Sequence, residues 1–376
     1  MLGDGLAAWA LADALEDAGR DAVLLCEATE VESASPSLGV ARLGPSMHLA
    51  RLAAGHGEAR AAACVRAGLV NREQLFHITA DRDVPVRRCG TLRFASDGDE
   101  AAEMQRSVRL LQQLDRPADF GDVRTFVDDA PSRFTHAALH PDDACVDVDA
   151  LVRAMAQRNR SHVRVVHGCR VRRIDDEDGV GLQTAHGLLC AEVVVVAAET
   201  LLARLVSFCR FKIVALRTQA LSAVATRDAV LPVDPRGPAA APPAWSAVHG
   251  YENWLQEVDD RQRVQVSGSR DLPVQKELGA RRGTSPEVQA LLEANLRDFA
   301  RWRAHRVESR WSSLQGVSCD GLPLVGAVPG HARVLVCGGF GINDVGWAFV
   351  SARTITELFE NGRAEHDLVL SPRRFL

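Results

Sequence analysis

Apolar residues recur at helical spacing through 6–19 (LAAWALADALEDAG), which predicts a helix stopped by Gly19. The short apolar run Ala22 to Cys26 then predicts a strand. A turn-rich stretch, Glu30 to Gly44, precedes an Ala/Arg-rich segment that predicts helix to about Leu69. A strand is expected at Thr91 to Ala95 and an amphipathic helix at Asp99 to Leu114. A helix at Val148 to Asn159 and a strand at His162 to Val166 follow, then two strands around the charged turn Asp175 to Gly179. Val193 to Ala198 is apolar throughout, the pattern of a strand covered on both faces. Residues 211–225 and 262–269 predict strands of a second sheet, separated by a Pro/Ala-rich loop, RGPAAAPPAW. Arg282 to His305 predicts mostly helix, Val334 to Cys337 a buried strand, and Gly346 to Asn361 a closing helix. Strand–helix alternation at both ends, around a different sheet in the middle, implies a dinucleotide fold interrupted by an inserted domain.

Length and composition narrow this picture. At 376 residues the chain exceeds what one hydrophobic core supports, so two domains are expected. A net charge of −5 with scattered arginines speaks against a nucleic-acid partner. No apolar run is long enough for a membrane span, and no secretory leader is legible. The nine cysteines stand singly and in odd number, which fits a reduced cytoplasm and predicts neither disulfides nor a metal site. His136 and His140 have i, i+4 spacing, but Pro141 and loop-like surroundings make them surface histidines rather than ligands.

Candidate chemistry begins at Gly3-Asp4-Gly5-Leu6-Ala7-Ala8, which matches G-x-G-x-x-A at the start of a helix. Gly3 permits a tight turn, Gly5 lets the backbone approach a pyrophosphate, and Ala8 lets the helix pack closely on the sheet. Glu27 follows at the distance of an acid that binds ribose hydroxyls. Two glycines alone could equally be a helix cap; helix, strand and Glu27 in register favour the nucleotide. Only Met1 and Leu2 precede the motif, where a buried parallel strand normally stands. Omitting that strand exposes its neighbours' edges, so the expectation is an upstream start or a damaged domain.

Further segments carry a resemblance. They are the glycine-containing turn Ser35 to Gly44, the helix and strand Asp147 to Ala154 and Val163 to Val171, and Trp311 to Gly326 (WSSLQGVSCDGLPLVG). Cys337-Gly338-Gly339-Phe340-Gly341 with Gly346 completes the set. Over nearly its whole length the chain resembles the FAD-dependent amino acid and amine oxidases of the D-amino-acid-oxidase superfamily, including glycine oxidase and monomeric sarcosine oxidase. The resemblance implies an α/β fold: a glutathione-reductase-like, Rossmann-type FAD-binding domain with an inserted antiparallel-sheet substrate domain. The first would comprise 1–85, 140–210 and 305–376, the second 86–139 and 211–304. It implies noncovalent FAD at Gly3, Gly5, Ala8, Glu27, Ser35, Gly39, Arg42, Gly44, Val171, Ala197, Ala198, Gly338, Gly339, Phe340, Gly341 and Gly346. It also implies a small amine or amino acid as substrate near Arg42, Trp254, Gln315 and Asn343, with hydride passing to flavin N5. The cofactor carries the chemistry, so no lone catalytic acid or base is required.

Four positions depart from the family pattern. Glu199 stands where a small glycine is usual and would crowd the phosphate side of the cofactor. Arg217-Thr218-Gln219 replaces R-G-Q. Gln315 replaces an arginine that would pair with a substrate carboxylate, which predicts poor use of glycine, sarcosine and D-alanine. Cys319 lies near, but not at, the cysteine that carries flavin covalently in sarcosine oxidases. Alternative readings are a hydroxy-acid dehydrogenase, a tRNA-modifying amine oxidase domain, or a catalytically silent subunit that keeps the fold.

Overall fold

The computed structural model describes residues 1–376 apart from 32–37, 128–129, 178, 226–243, 257–262, 269–273 and 299–304. Ser35 and nearly all of the Pro/Ala-rich loop lie outside the described residues.

One sheet carries the dinucleotide motif. Ala22–Leu25 pairs parallel with Val163–Val166, and Val194–Val196 pairs parallel with His331–Gly338, which continues antiparallel to Leu324–Val328. Leu2 stands between the two halves, bridging parallel to both Leu25 and Val196. Its amide donates to the Val195 carbonyl at 2.9 Å, and the Ala197 amide donates to its carbonyl at 2.8 Å. Met1 and Leu2 thus occupy the lane of a first parallel strand, and Gly3 turns the chain into the helix Leu6–Asp17. That helix packs against the closing helix Ala348–Asn361, and Leu11, Leu24, Val195, Trp347 and Ile355 belong to one core beneath them. The Ala/Arg-rich segment forms two helices, Leu49–His56 and Glu58–Asp81, broken at Gly57, whose φ of 86° ends the first.

The second sheet has eight strands. In order these are His305–Ser318, Ile213–Ala225, Arg263–Gly268, Glu252–Gln256, Ala244–Ala247, Thr91–Phe94, His136–His140 and Asp119–Asp122. An antiparallel sheet was expected here, but Ala244–Ala247 runs parallel to Thr91–Phe94. These strands lie far apart in the chain, and no hairpin joins them to impose the opposite direction. His136 and His140 lie in a strand rather than a loop; both are half-buried and alternate with the buried Ala137 and Leu139. The sheet also draws in residues 305–318, which pair with Ile213–Ala225 along almost its full length.

The fold brings two of the singly spaced cysteines together: the Cys89 and Cys145 sulfurs are 3.4 Å apart, both buried and both free thiols. No helix among the described residues is long and apolar enough to cross a membrane.

Candidate active site

At the nucleotide end the glycines divide their work. Gly3 has φ 151°, and an added Cβ would lie 2.1 Å from the Ala197 carbonyl oxygen, so this glycine serves the strand-to-turn packing. At Gly5 an added Cβ would meet nothing within 4 Å. Gly5 precedes a helix with no side-chain cap, which leaves the first-turn amides without a side-chain acceptor. Ala8 is fully buried, as close helix packing requires. The Asp4 carboxylate accepts from the amides of Glu27 (3.3 Å) and Ala28 (3.2 Å), tying the turn to the end of the strand. Glu27 reaches towards Arg170 (3.4 Å) and Arg204 (3.9 Å) and remains partly exposed. The Val171 carbonyl accepts from the same Arg204 at 3.3 Å. The Ala198 carbonyl accepts from the amides of Leu201 and Leu202, starting the short helix that follows. This open glycine, uncapped helix and nearby acid fit the adenosine half of FAD.

The flavin end does not fit as built. Gly338, Gly339, Gly341 and Gly346 were expected to bring backbone amides to a flavin ring. Instead an added Cβ would meet Leu202 at 2.7 Å from Gly338, Ile213 at 2.8 Å from Gly339, and Asn343 at 2.4 Å from Gly346. Gly341 donates its own amide to the Gly316 carbonyl at 3.0 Å. The Glu199 carboxyl accepts from Gly316 N (3.1 Å) and Gly339 N (3.2 Å), with the Phe340 amide as a third donor. Glu199, expected to crowd the phosphate side of the cofactor, sits in the amide nest of the glycine-rich loop. Burial, and then the neighbouring Asp344 charge, push this carboxyl up to about 8 against the three amides. Its Oε1 is buried with no hydrogen-bond partner.

Between the nest and the large sheet, Asn343 is fully buried and acts as a clamp. It accepts from Arg42 N (3.1 Å) and donates to the carbonyls of Arg42 (3.2 Å) and Gly44 (2.8 Å). Its side chain is therefore committed to backbone, which corrects its expected role towards flavin or substrate. Gly39, expected at the cofactor, packs instead on Val146, whose carbonyl an added Cβ would approach to 1.9 Å. Gln315 accepts from Thr218 Oγ1 at 2.9 Å within the sheet. Trp254 lies in the sheet core with Phe94, Phe134 and Trp245 rather than at a cavity. Arg217 and Gln219 both bind Glu277, so this altered tripeptide is part of a buried ion-pair network.

Arg42 is placed to act. It is buried, donates to Asn253 Oδ1 at 2.6 Å, and lines a small cleft of about 10 Å³, with Arg93, His48, Glu100, Ser246 and His249. Arg93 comes from Thr91–Phe94 and is 9% exposed, and its Nε has no hydrogen-bond partner. Asp143 and Glu100 balance its charge from a distance, while burial lowers its affinity for the proton. Burial pushes the Glu100 carboxyl up, but hydrogen bonds from His48, Ser96 and the His249 amide prevail and hold it at about 2. Val248 and His249 both have φ near +50°, an uncommon conformation for side-chain-bearing residues that brings the His249 amide within 2.6 Å of Glu100. No local pattern joins these residues: they come from three distant segments, around 42–48, 93–100 and 246–253, and only the folded chain brings them together. Ligand atoms of His48, Glu100 and His249 lie within 4.8 Å of one another, a spacing that could hold a metal ion. Arg42 and Arg93 put two positive charges on the same cavity, so the arrangement suits an anion better than a cation.

Comparison with known proteins follows the same lines. No curated protein matches the sequence. Among solved structures, glycine oxidase from Geobacillus kaustophilus superimposes with a TM-score of 0.77 at 16% identity, over 96% of this chain and 93% of that one. L-proline dehydrogenase from P. horikoshii gives 0.76 at 13% identity, over 100% and 96%. Iminodiacetate oxidase from Chelativorans sp. BNC1 gives 0.70 at 15%, over 97% and 95%. Residues 3–358 match the sequence profile of the FAD dependent oxidoreductase family, DAO, and the chain belongs to that family.

Proposed function

We propose that this chain oxidises a small amine or amino acid whose anionic group is held by Arg42 and Arg93. FAD, when bound, supplies the hydride acceptor at flavin N5. The reading is carried by Arg93: a buried guanidinium with an unpaired Nε, facing a cavity beside a second arginine, calls for an anionic partner. Gln315, tied to Thr218, takes no part in it. His48, hydrogen-bonded to Glu100 at 3.1 Å, is placed to hold or pass a proton at the cavity wall. Glu199 in the nest favours a second reading, a relative that keeps the fold without turnover.

The test is anaerobic flavin bleaching by a panel of amines and amino acids, with and without carboxylates, on FAD-reconstituted protein. Preference for carboxylates, with KM rising about 100-fold in Arg93→Met from the loss of a charge-assisted bidentate contact, supports the proposal. Equal use of neutral amines by wild type and variant contradicts it. No bleaching by any compound in protein shown to hold FAD supports the silent relative.

A further inference from the structure

We infer that Glu199 is a built-in competitor for the flavin end of the cofactor site, so that FAD binding requires this carboxyl to leave the nest formed by Gly316, Gly339 and Phe340. Three observations converge. The carboxyl accepts from Gly316 N and Gly339 N at 3.1 and 3.2 Å, and from Phe340 N, which uses the loop's inward amides. An added Cβ at Gly316 would meet the Glu199 backbone and carboxyl oxygens at 2.6 and 2.7 Å, so the space beside this glycine is taken by Glu199 itself. The nucleotide end, by contrast, is open at Gly5, so the cofactor meets an obstacle at one end only.

The occupant is held under opposing forces. Three amides satisfy one side of the carboxyl, while its buried Oε1 has no partner. Asp344 is the charged neighbour that opposes its ionisation; the Cys337 thiol, itself pushed well up by burial, stays neutral beside it. The seated carboxyl is therefore the protonated one, and a carboxyl swung out to water ionises in its ordinary range. Displacement by FAD then releases a proton, and by linkage binding tightens as pH rises towards about 8.

The experiment measures FAD affinity by flavin fluorescence for wild type, Glu199→Gln and Glu199→Ala. Wild type should bind at least about tenfold more tightly at about pH 8 than at about pH 6, within the limit of tenfold per pH unit for one proton. Glu199→Gln still fills the nest but does not titrate, so its affinity should be flat over that range. Glu199→Ala, checked for native circular dichroism, should bind at least about tenfold more tightly than wild type at neutral pH. A folded Glu199→Ala no tighter than wild type overturns the inference. Should that variant not fold, the wild-type series decides: a flat profile overturns the inference and a rising one supports it. These readouts are affinities, so an absence of amine turnover in flavin-loaded protein would count against the proposed function alone.

Discussion

At Gly5 an added methyl group would meet nothing within 4 Å, whereas at Gly339 it would meet Ile213 at 2.8 Å and at Gly338 Leu202 at 2.7 Å. Both segments expected to hold the cofactor are rich in glycine, yet the glycines serve different purposes. At the nucleotide end one is consumed by packing and the next is left open. At the flavin end the space is taken by the protein's own side chains, with Glu199 seated on the amides. A motif therefore reports where backbone can come close to a partner; the neighbours decide whether that partner is a ligand or the chain itself.

The largest expected effect separates the two glycines of the first turn. Gly3→Ala places a Cβ 2.1 Å from a buried carbonyl at a φ of 151°. It should cost roughly 3–5 kcal/mol or prevent folding, as strained and overpacked sites do. Thermal unfolding checks this, and a melting temperature close to wild type would mean that Gly3 does not pack on Ala197.

Next in size is the pH dependence of stability at Glu199. Its carboxyl is held near 8 in the folded chain and titrates near 4.5 when free of the fold, so the unfolded chain loses this proton first. Its contribution is full below about 4.5 and is lost as pH rises through about 8, by at most about 1.4 kcal/mol per unit. Denaturant melts of wild type against Glu199→Gln should diverge across that window, with the variant gaining on wild type as pH rises. Parallel profiles would show that Glu199 is not buried as a neutral acid.

Smallest in stability is Gly5→Ala, where nothing stands against the new methyl group. Its melting temperature should match wild type within the effect of about 0.5 kcal/mol, while FAD affinity falls about tenfold or more. Unchanged affinity would move the pyrophosphate away from this turn.

Much of the frame was legible in the sequence. The helix at Leu6–Asp17, the apolar strand at Val194–Val196 and the closing helix follow from periodicity, and each lies where the pattern puts it. The parallel pairing of Ala244–Ala247 with Thr91–Phe94 was not, because pairing direction between strands far apart in the chain leaves no local mark. The strand His136–His140 was hidden by its i, i+4 histidines and by Pro141 directly after it. Glu199 was recognisable as a departure, but its partners Gly316 and Gly339 are more than a hundred residues away. Of the basic cavity only Arg42 was marked, by the resemblance; His48, Arg93 and His249 join it only when the large sheet packs over the helices.

Calorimetric titration of wild-type protein with FAD at about pH 6.5, repeated in buffers of different ionisation enthalpy, tests the contrast between the two ends most directly. Displacement of a protonated Glu199 predicts release of about one proton per FAD bound in wild type and none in Glu199→Gln. Tight binding with no proton released by wild type would show that the cofactor enters without disturbing Glu199, and the closed flavin end would be refuted.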